Sequence, residues 1–291
     1  MSYRALRSLL CVLAFSGVAP AIAADDPEVT IEKAIPYLGP DRNELADLYR
    51  PTILKPGAKY PGVVIIHGGG WSGGKRDAAR ELNIGTTLAK NGYVGLSIDY
   101  ILQVKGEKRV WPQNLNDCKT AVRWLRANAD KYQIDTDHIG VIGGSAGGHL
   151  AAMVGVTANS EDLKPIGPYG EFSSQVQAVV DLYGPIADQG ARIATLVDRE
   201  QPGAEVLIRQ ITPLSHLDKA DPPILILHGT ADKTVAVDDS ERLAKALTEA
   251  GVVNELIIIP DAPHTFHLQP KQRDLRPTVL GFFEKYLKPT K

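Results

Sequence analysis

Ile139-Gly140-Val141-Ile142-Gly143-Gly144-Ser145-Ala146-Gly147-Gly148-His149-Leu150-Ala151-Ala152-Met153-Val154 is the stretch that decides how this chain is read. Its first residues form a short Val- and Ile-rich run closed by glycine, which suits a strand buried on both faces. Its last residues are continuously apolar and suit a buried helix, expected over Ala146–Val156. Between them lies Gly143-Gly144-Ser145-Ala146-Gly147, a Gly-x-Ser-x-Gly turn. A strand that becomes a helix so abruptly forces the serine into a strained backbone conformation. Side chains at 143 and 147 would collide across the turn, so both positions are glycine. The helix then directs its first N–H groups at the serine. Taken alone the pattern arises by chance, but strand before and helix after make it a nucleophile elbow with Ser145 at its tip.

Working outward, similar apolar runs recur at Val63–His67, Val94–Ile98, Ala178–Leu182, Ile224–His228 and Leu256–Ile259. Longer amphipathic stretches alternate with them. Asp77–Lys90 stops at Asn91-Gly92, and Leu115–Ala129 carries Ala121, Val122, Leu125 and Ala129 on one face with charges elsewhere. Asp239–Ala250 ends before Gly251, with Asp238 and Asp239 as helix caps, and Leu275–Leu287 closes the chain. The alternation predicts an α/β fold, a mostly parallel central sheet flanked by helices. Val29–Ile35 and Leu45–Tyr49 are more polar and read as edge strands, joined as an antiparallel hairpin around Gly39-Pro40-Asp41. Residues 186–217 break the rhythm with Gly, Pro and one helical stretch near Ala204–Gln210. At roughly 30 residues this connection is unusually long. Either a small lid or a plain surface excursion fits it.

Serine needs a base to take its proton. Ligands of open α/β sheets bind at the carboxyl ends of strands. His264 follows the last strand in Asp261-Ala262-Pro263-His264-Thr265-Phe266 and is the expected base, with His267 as competitor. Asp232, in His228-Gly229-Thr230-Ala231-Asp232, lies past the preceding strand and is the expected acid. The chain order Ser, Asp, His agrees with that assignment. Asp181 is the rival but lies inside an apolar strand, and Asp99 reads as an acceptor holding a loop. His67, His138, His149, His216 and His228 read as packed or solvated imidazoles. His67-Gly68-Gly69-Gly70-Trp71 leaves bare backbone beside the site, so the N–H groups of Gly69, Gly70 and Ala146 are the expected oxyanion donors. A phosphate loop would want Lys-Ser or Lys-Thr after its glycines, and Trp71-Ser72-Gly73-Gly74-Lys75 does not fit. Trp71 is a candidate for substrate binding as a stacking wall, against a plain packing role. No Cys and His cluster has metal-ligand spacing, and no cofactor is implied.

At the start of the chain, Arg4 and Arg7 precede an apolar run, Leu9 to Ala19, and then Ala21-Ile22-Ala23. A run of about 11 residues is too short to span a bilayer. The layout is that of a signal peptide, residues 1–23, cleaved after Ala23. Secretion or export to the periplasm is therefore expected, with no membrane anchor afterwards. Cleavage removes two positive charges and no negative one, moving the formal net charge from −2 to −4. A mildly acidic surface attracts neither nucleic acid nor anionic lipid. Only Cys118 would remain, which excludes an internal disulfide.

Together, His67-Gly68-Gly69-Gly70-Trp71, Gly143-Gly144-Ser145-Ala146-Gly147-Gly148-His149-Leu150, Tyr183-Gly184-Pro185, His228-Gly229-Thr230-Ala231-Asp232 and Pro263-His264-Thr265-Phe266 resemble α/β-hydrolase carboxylesterases. The likeness is to the bacterial feruloyl and acetyl-xylan esterase-like group, related to the hormone-sensitive-lipase and prolyl-oligopeptidase branches. It implies the triad Ser145, Asp232 and His264, the oxyanion donors Gly69, Gly70 and Ala146, and an ester substrate, small or polysaccharide-linked. The stretch from Ala24 to the His67 strand is too short for the N-terminal cap of hormone-sensitive-lipase relatives, so no large cap domain is expected. The alternatives are a formamidase-type amidase, which shares a similar glycine motif, and a binding protein that kept the fold without catalysis. Such binding proteins usually lose the serine or the histidine, and this chain has both.

Overall fold

The computed structural model describes residues 28–188 and 191–288; the leader read at 1–23 lies outside them. Eight strands make one sheet: β1 (Val29–Ile35), β2 (Ala46–Pro51), β3 (Tyr60–Ile66), β4 (Val94–Ile98), β5 (Ile134–Gly144), β6 (Ala178–Leu182), β7 (Ile224–Gly229) and β8 (Asn254–Ile259). Their spatial order is β1-β2-β4-β3-β5-β6-β7-β8. β1 pairs antiparallel with β2, and β2 antiparallel with β4. Every other pairing is parallel. The expected antiparallel hairpin is present, but only β1 is an edge strand: β2 lies between β1 and β4 and is buried over Ala46–Tyr49.

The helices are α1 (Ala79–Lys90), α2 (Gln113–Ala127), α3 (Ala129–Tyr132), α4 (Ala146–Val156), α5 (Ala204–Ile211), α6 (Val237–Glu249) and α7 (Arg276–Leu287). Successive strand residues point to opposite faces, and the packing shows it. Val63 and Ile65 pack in one core with Ile84 and Leu88 of α1 and Phe283 of α7. Val64 and Ile66 pack in another with Val122 of α2, Leu150 of α4 and Leu247 of α6. Burial on both faces is why these strands are apolar without alternation.

Two local expectations change. Asp238 and Asp239 are not caps: the residue before α6 is Ala236, with no side-chain cap, and both acids sit in the first turn, where the helix end favours negative charge. The charges of α2 are not turned to solvent either. Lys119 is fully buried and donates to the carbonyls of Thr157 and Leu163, both at 2.8 Å, and Arg123 donates to Ile166 O at 2.9 Å. Residues following α4 cover that face, and their free carbonyls, which no periodicity announces, take the two cations. Burial pulls the Lys119 ammonium down to about 8.

The segment 186–217 folds onto the body of the protein: Ile186, Ile193, Leu196, Val197 and Ile211 are buried in the core shared with α2, α4 and α6. His149 Nε2 reaches Ile211 O at 2.6 Å, and Arg242 pairs with Asp188.

Candidate active site

Ser145 sits between β5 and α4 with φ 58° and ψ −123°, outside the regions L-residues favour. Strain of this kind costs of order 1–3 kcal/mol and persists only where the surroundings fix it. Here the Ser145 amide donates to Leu182 O at 2.8 Å, and its carbonyl accepts from His149 N at 3.0 Å. A Cβ on Gly143 would stand 2.1 Å from Gly147 O, and one on Gly147 would stand 2.2 Å from Ile66 O. Both motif glycines are therefore required by backbone contact.

The loops after β7 and β8 bring the other two predicted residues to the serine. They are laced together: Thr230 N donates to Ile259 O at 3.1 Å, Ala231 N to Ala262 O at 3.0 Å, and Asp261 N to Thr230 Oγ1 at 2.9 Å. His264 Nε2 lies 2.9 Å from Ser145 Oγ, and His264 Nδ1 lies 2.6 Å from Asp232 Oδ2. A carboxylate only accepts, so Nδ1 carries the hydrogen and Nε2 offers its lone pair to the serine hydroxyl. Asp232 Oδ1 accepts the amides of Thr234 at 2.7 Å and Val235 at 2.9 Å. Burial alone would push this carboxyl up, but the bonds from His264, Val235 and Thr234 prevail and hold it below its ordinary range. The competitor His267 is turned elsewhere, its Nδ1 accepting Gln269 N at 3.0 Å. The rival Asp181 accepts Gly184 N at 2.8 Å, and burial pushes it up to about 7. Asp99 does hold a loop, accepting the Arg76 amide at 2.8 Å and pairing with its guanidinium.

Ser145, His264, Gly69, Gly70 and Ala146 line one cavity of about 600 Å³. Neither Gly69 nor Gly70 donates its amide to a turn or loop carbonyl among the described residues. Gly69 has φ 117°, and a Cβ there would stand 2.2 Å from Gly73 O. Ala146 opens α4, where the first amides have no partner within the helix. Thr195 and Pro185 border the same cavity, so the long segment contributes to its wall. Trp71 also lines this cavity but offers it little of the stacking face considered for it. It is 1% exposed, and its indole packs edge-on against His149, with 5.2 Å between ring centroids. It backs the glycine loop, and almost none of its surface is open to a ligand.

Three neighbours have roles the sequence did not reveal. His228, read as a packed imidazole, is buried with Nε2 3.1 Å from Val235 O and 3.2 Å from Asp232 Oδ2. Its Nδ1 meets Ser240 Oγ at 2.7 Å. Val235 O can only accept, so Nε2 bears the hydrogen and points between that carbonyl and Asp232. Burial lowers His228 below the usual imidazole range, which keeps it neutral. Tyr183 packs edge-on to His264 at 4.8 Å and donates its hydroxyl to Phe266 O at 2.6 Å. Arg80 donates to that hydroxyl at 3.0 Å and pairs with Glu81 in the cavity wall. His228 and Tyr183 each stood in a motif that carried the family resemblance, which gave neither of them a role, and Arg80 carried no signal.

Esterase LipQ of Mycobacterium tuberculosis is 32% identical over 251 residues, covering 80% of this chain and 57% of that protein. This chain thus spans less than two thirds of that relative's length. A solved structure titled as the truncated form of a carbohydrate esterase from gut microbiota superposes with a TM-score of 0.77 at 30% identity, over 90% of this chain and 98% of that one. An acetyl ester-xyloside bifunctional hydrolase from Caldicellulosiruptor lactoaceticus gives 0.71 at 27% identity, over 86% and 92%. Residues 46–247, which hold the glycine loop, the elbow and Asp232, match the BD-FAE family, and with the sheet order and the Ser145 turn described above this chain belongs to that family of α/β hydrolases.

Proposed function

We propose that the protein is a serine carboxylic-ester hydrolase that forms an acyl-enzyme on Ser145 and acts on short-acyl or feruloyl esters of carbohydrates. The observation that carries this reading is the continuous relay Ser145 Oγ to His264 Nε2 at 2.9 Å and His264 Nδ1 to Asp232 Oδ2 at 2.6 Å. His264 takes the hydroxyl proton as Ser145 attacks the ester carbonyl, and Asp232 stabilises the imidazolium that results. The amides of Gly69, Gly70 and Ala146 receive the oxyanion. The alcohol leaves with the proton from His264, and water repeats the sequence to free the acid. This chemistry needs no cofactor. The carbohydrate half of the proposal leans on the solved carbohydrate esterase and the acetyl ester-xyloside hydrolase, both similar along most of their length.

Turnover of acetyl, butyryl, octanoyl and feruloyl esters and of acetylated xylan tests it, beside N-formylkynurenine for the amidase alternative. Ser145→Ala should lose nearly all ester turnover and all labelling by a fluorophosphonate while keeping its melting temperature. An unimpaired variant refutes the nucleophile, and faster hydrolysis of the N-formyl amide than of any ester transfers the protein to amidase chemistry. Export is proposed on the leader residues alone, and a mature N-terminus at Ala24 is the expected result.

A further inference from the structure

The loop that carries His264 is fastened at both ends and nearly free between them. Ala262 O accepts Ala231 N at 3.0 Å, and Leu268 N donates to Asn83 Oδ1 on α1 at 3.2 Å. Among the described residues, the backbone of residues 263–267 makes a single hydrogen bond, in which the Tyr183 hydroxyl donates to Phe266 O at 2.6 Å. Inside this span Thr265 has φ 66°, a left-handed conformation that a β-branched side chain strongly disfavours. Such strain persists only where the surroundings impose it. Thr265 is exposed, so its own side chain supplies little of that constraint. The turn at Thr265 sets the direction of His264 before it, and Tyr183 grips the carbonyl after it.

Tyr183 is itself held. Burial pushes its hydroxyl up to about 12, which keeps the hydrogen in place. With that hydrogen given to Phe266 O, the oxygen accepts from Arg80 Nη1 at 3.0 Å. A hydroxyl that accepts from a cation donates more strongly in turn. Arg80 is wedged beside the nucleophile. A Cβ on Gly144 would stand 2.6 Å from its Nη1, and one on Gly68 would stand 3.2 Å from both its Nη2 and Ser145 Cβ. The guanidinium therefore fills the space that these two bare glycines leave. Its side chain is 14% exposed, and Glu81, 1% exposed, takes its Nε and Nη2. A cation already neutralised by a buried carboxylate is poorly suited to holding an anionic substrate, and acyl transfer by the triad assigns it no step.

We propose that Arg80 and Tyr183 are positioning residues that act as one strut, Arg80 to the Tyr183 hydroxyl to Phe266 O, and keep the strained turn at Thr265 from relaxing and carrying His264 away from Ser145. The proposal rests on the relay of the esterase reading but not on the ester. Its first readout is therefore the rate at which a fluorophosphonate labels Ser145, which needs no particular substrate. Tyr183→Phe keeps the ring against His264 and removes only the hydroxyl. Labelling and kcat for p-nitrophenyl acetate should both fall about tenfold, the usual consequence of one lost hydrogen bond, with KM little changed. Arg80→Lys leaves a cation beside Glu81 and breaks the strut at its other end. It should also slow labelling, and the double variant should lose no more than the worse single one. Thr265→Asn supplies a residue at ease with positive φ. On that background Tyr183→Phe should slow labelling less than about threefold. Undiminished labelling in Tyr183→Phe, an equal loss with and without Thr265→Asn, or additive losses from the two ends overturns the strut. Should Tyr183→Phe not fold, Arg80→Lys with and without Thr265→Asn makes the same comparison. Wild-type protein that labels but hydrolyses no ester removes the esterase reading and leaves the strut to be judged by labelling. Wild-type protein that does not label removes both.

Discussion

Replacing Asp232 by Asn changes one atom and reverses the polarity of the relay. Asp232 Oδ1 accepts two amides, from Thr234 at 2.7 Å and Val235 at 2.9 Å. The Asn oxygen must stay there, because an NH2 group cannot accept them. The NH2 then occupies the place of Oδ2, 2.6 Å from His264 Nδ1, where two donors would confront each other. The imidazole escapes by moving its hydrogen to Nε2, which faces Ser145 Oγ at 2.9 Å. In that tautomer it cannot take the serine proton, and the imidazolium formed in the reaction has lost its counter-charge. A fall in kcat of about 10⁴, or roughly 5 kcal/mol of barrier, is expected, as in other triads with this substitution. The fold should survive. The local loss, including the His228 Nε2–H now facing an NH2 group, is about 1–3 kcal/mol. Steady-state hydrolysis of p-nitrophenyl acetate, with a melting curve on the same sample, separates the two effects. A well-folded Asp232→Asn protein whose kcat stays within tenfold of wild type would refute the relay.

Asp181 makes the contrasting case. Its folded-state value of about 7 lies above that of a free carboxyl, so the folded protein binds the extra proton between roughly pH 4 and 7. Stability from this group therefore falls as pH rises across that interval and is lowest above it. Asp181→Asn retains an oxygen for Gly184 N and should be the more stable protein at pH 8, by at most about 4 kcal/mol, with no gain at pH 4. Equal urea midpoints at pH 8 would contradict this. Gly69→Ala places a Cβ 2.2 Å from Gly73 O at a φ of 117°, so the loop must shift. A kcat lower by about two orders of magnitude, with KM less affected, is expected from displaced oxyanion donors. Wild-type kcat would show that the Gly69 amide is not one of them.

Much of this was readable from residue order. β4 and β6 fall where their runs predicted, because strands buried on both faces are mostly apolar or small along their length, with Ser97 and Asp181 the exceptions here. Ser145, Asp232 and His264 were legible for a different reason: each follows a recognisable strand, and parallel strands deliver their carboxyl ends to one rim. What escaped depended on contacts between distant segments. The buried cations of α2 looked like solvent-facing charges, since nothing in their spacing reveals the carbonyls of Thr157, Leu163 and Ile166. Trp71 beside three glycines suggested an open aromatic surface, and its burial is set by His149 from another element. His228 looked like filler until the chain after it brought Asp232 and Val235 against one ring nitrogen.

β8 ends the order of strands and has a partner on one side only. His264 hangs from the loop that leaves it, whereas Ser145 directly follows β5, deep in the middle of the sheet. Border strands are the first to fray under denaturant, well before a central one lets go. The imidazole should therefore depart while the serine is still held in its strained turn. Ester turnover ought to vanish at lower urea than the circular dichroism of the whole sheet, leaving an intermediate that is folded by spectroscopy and chemically silent.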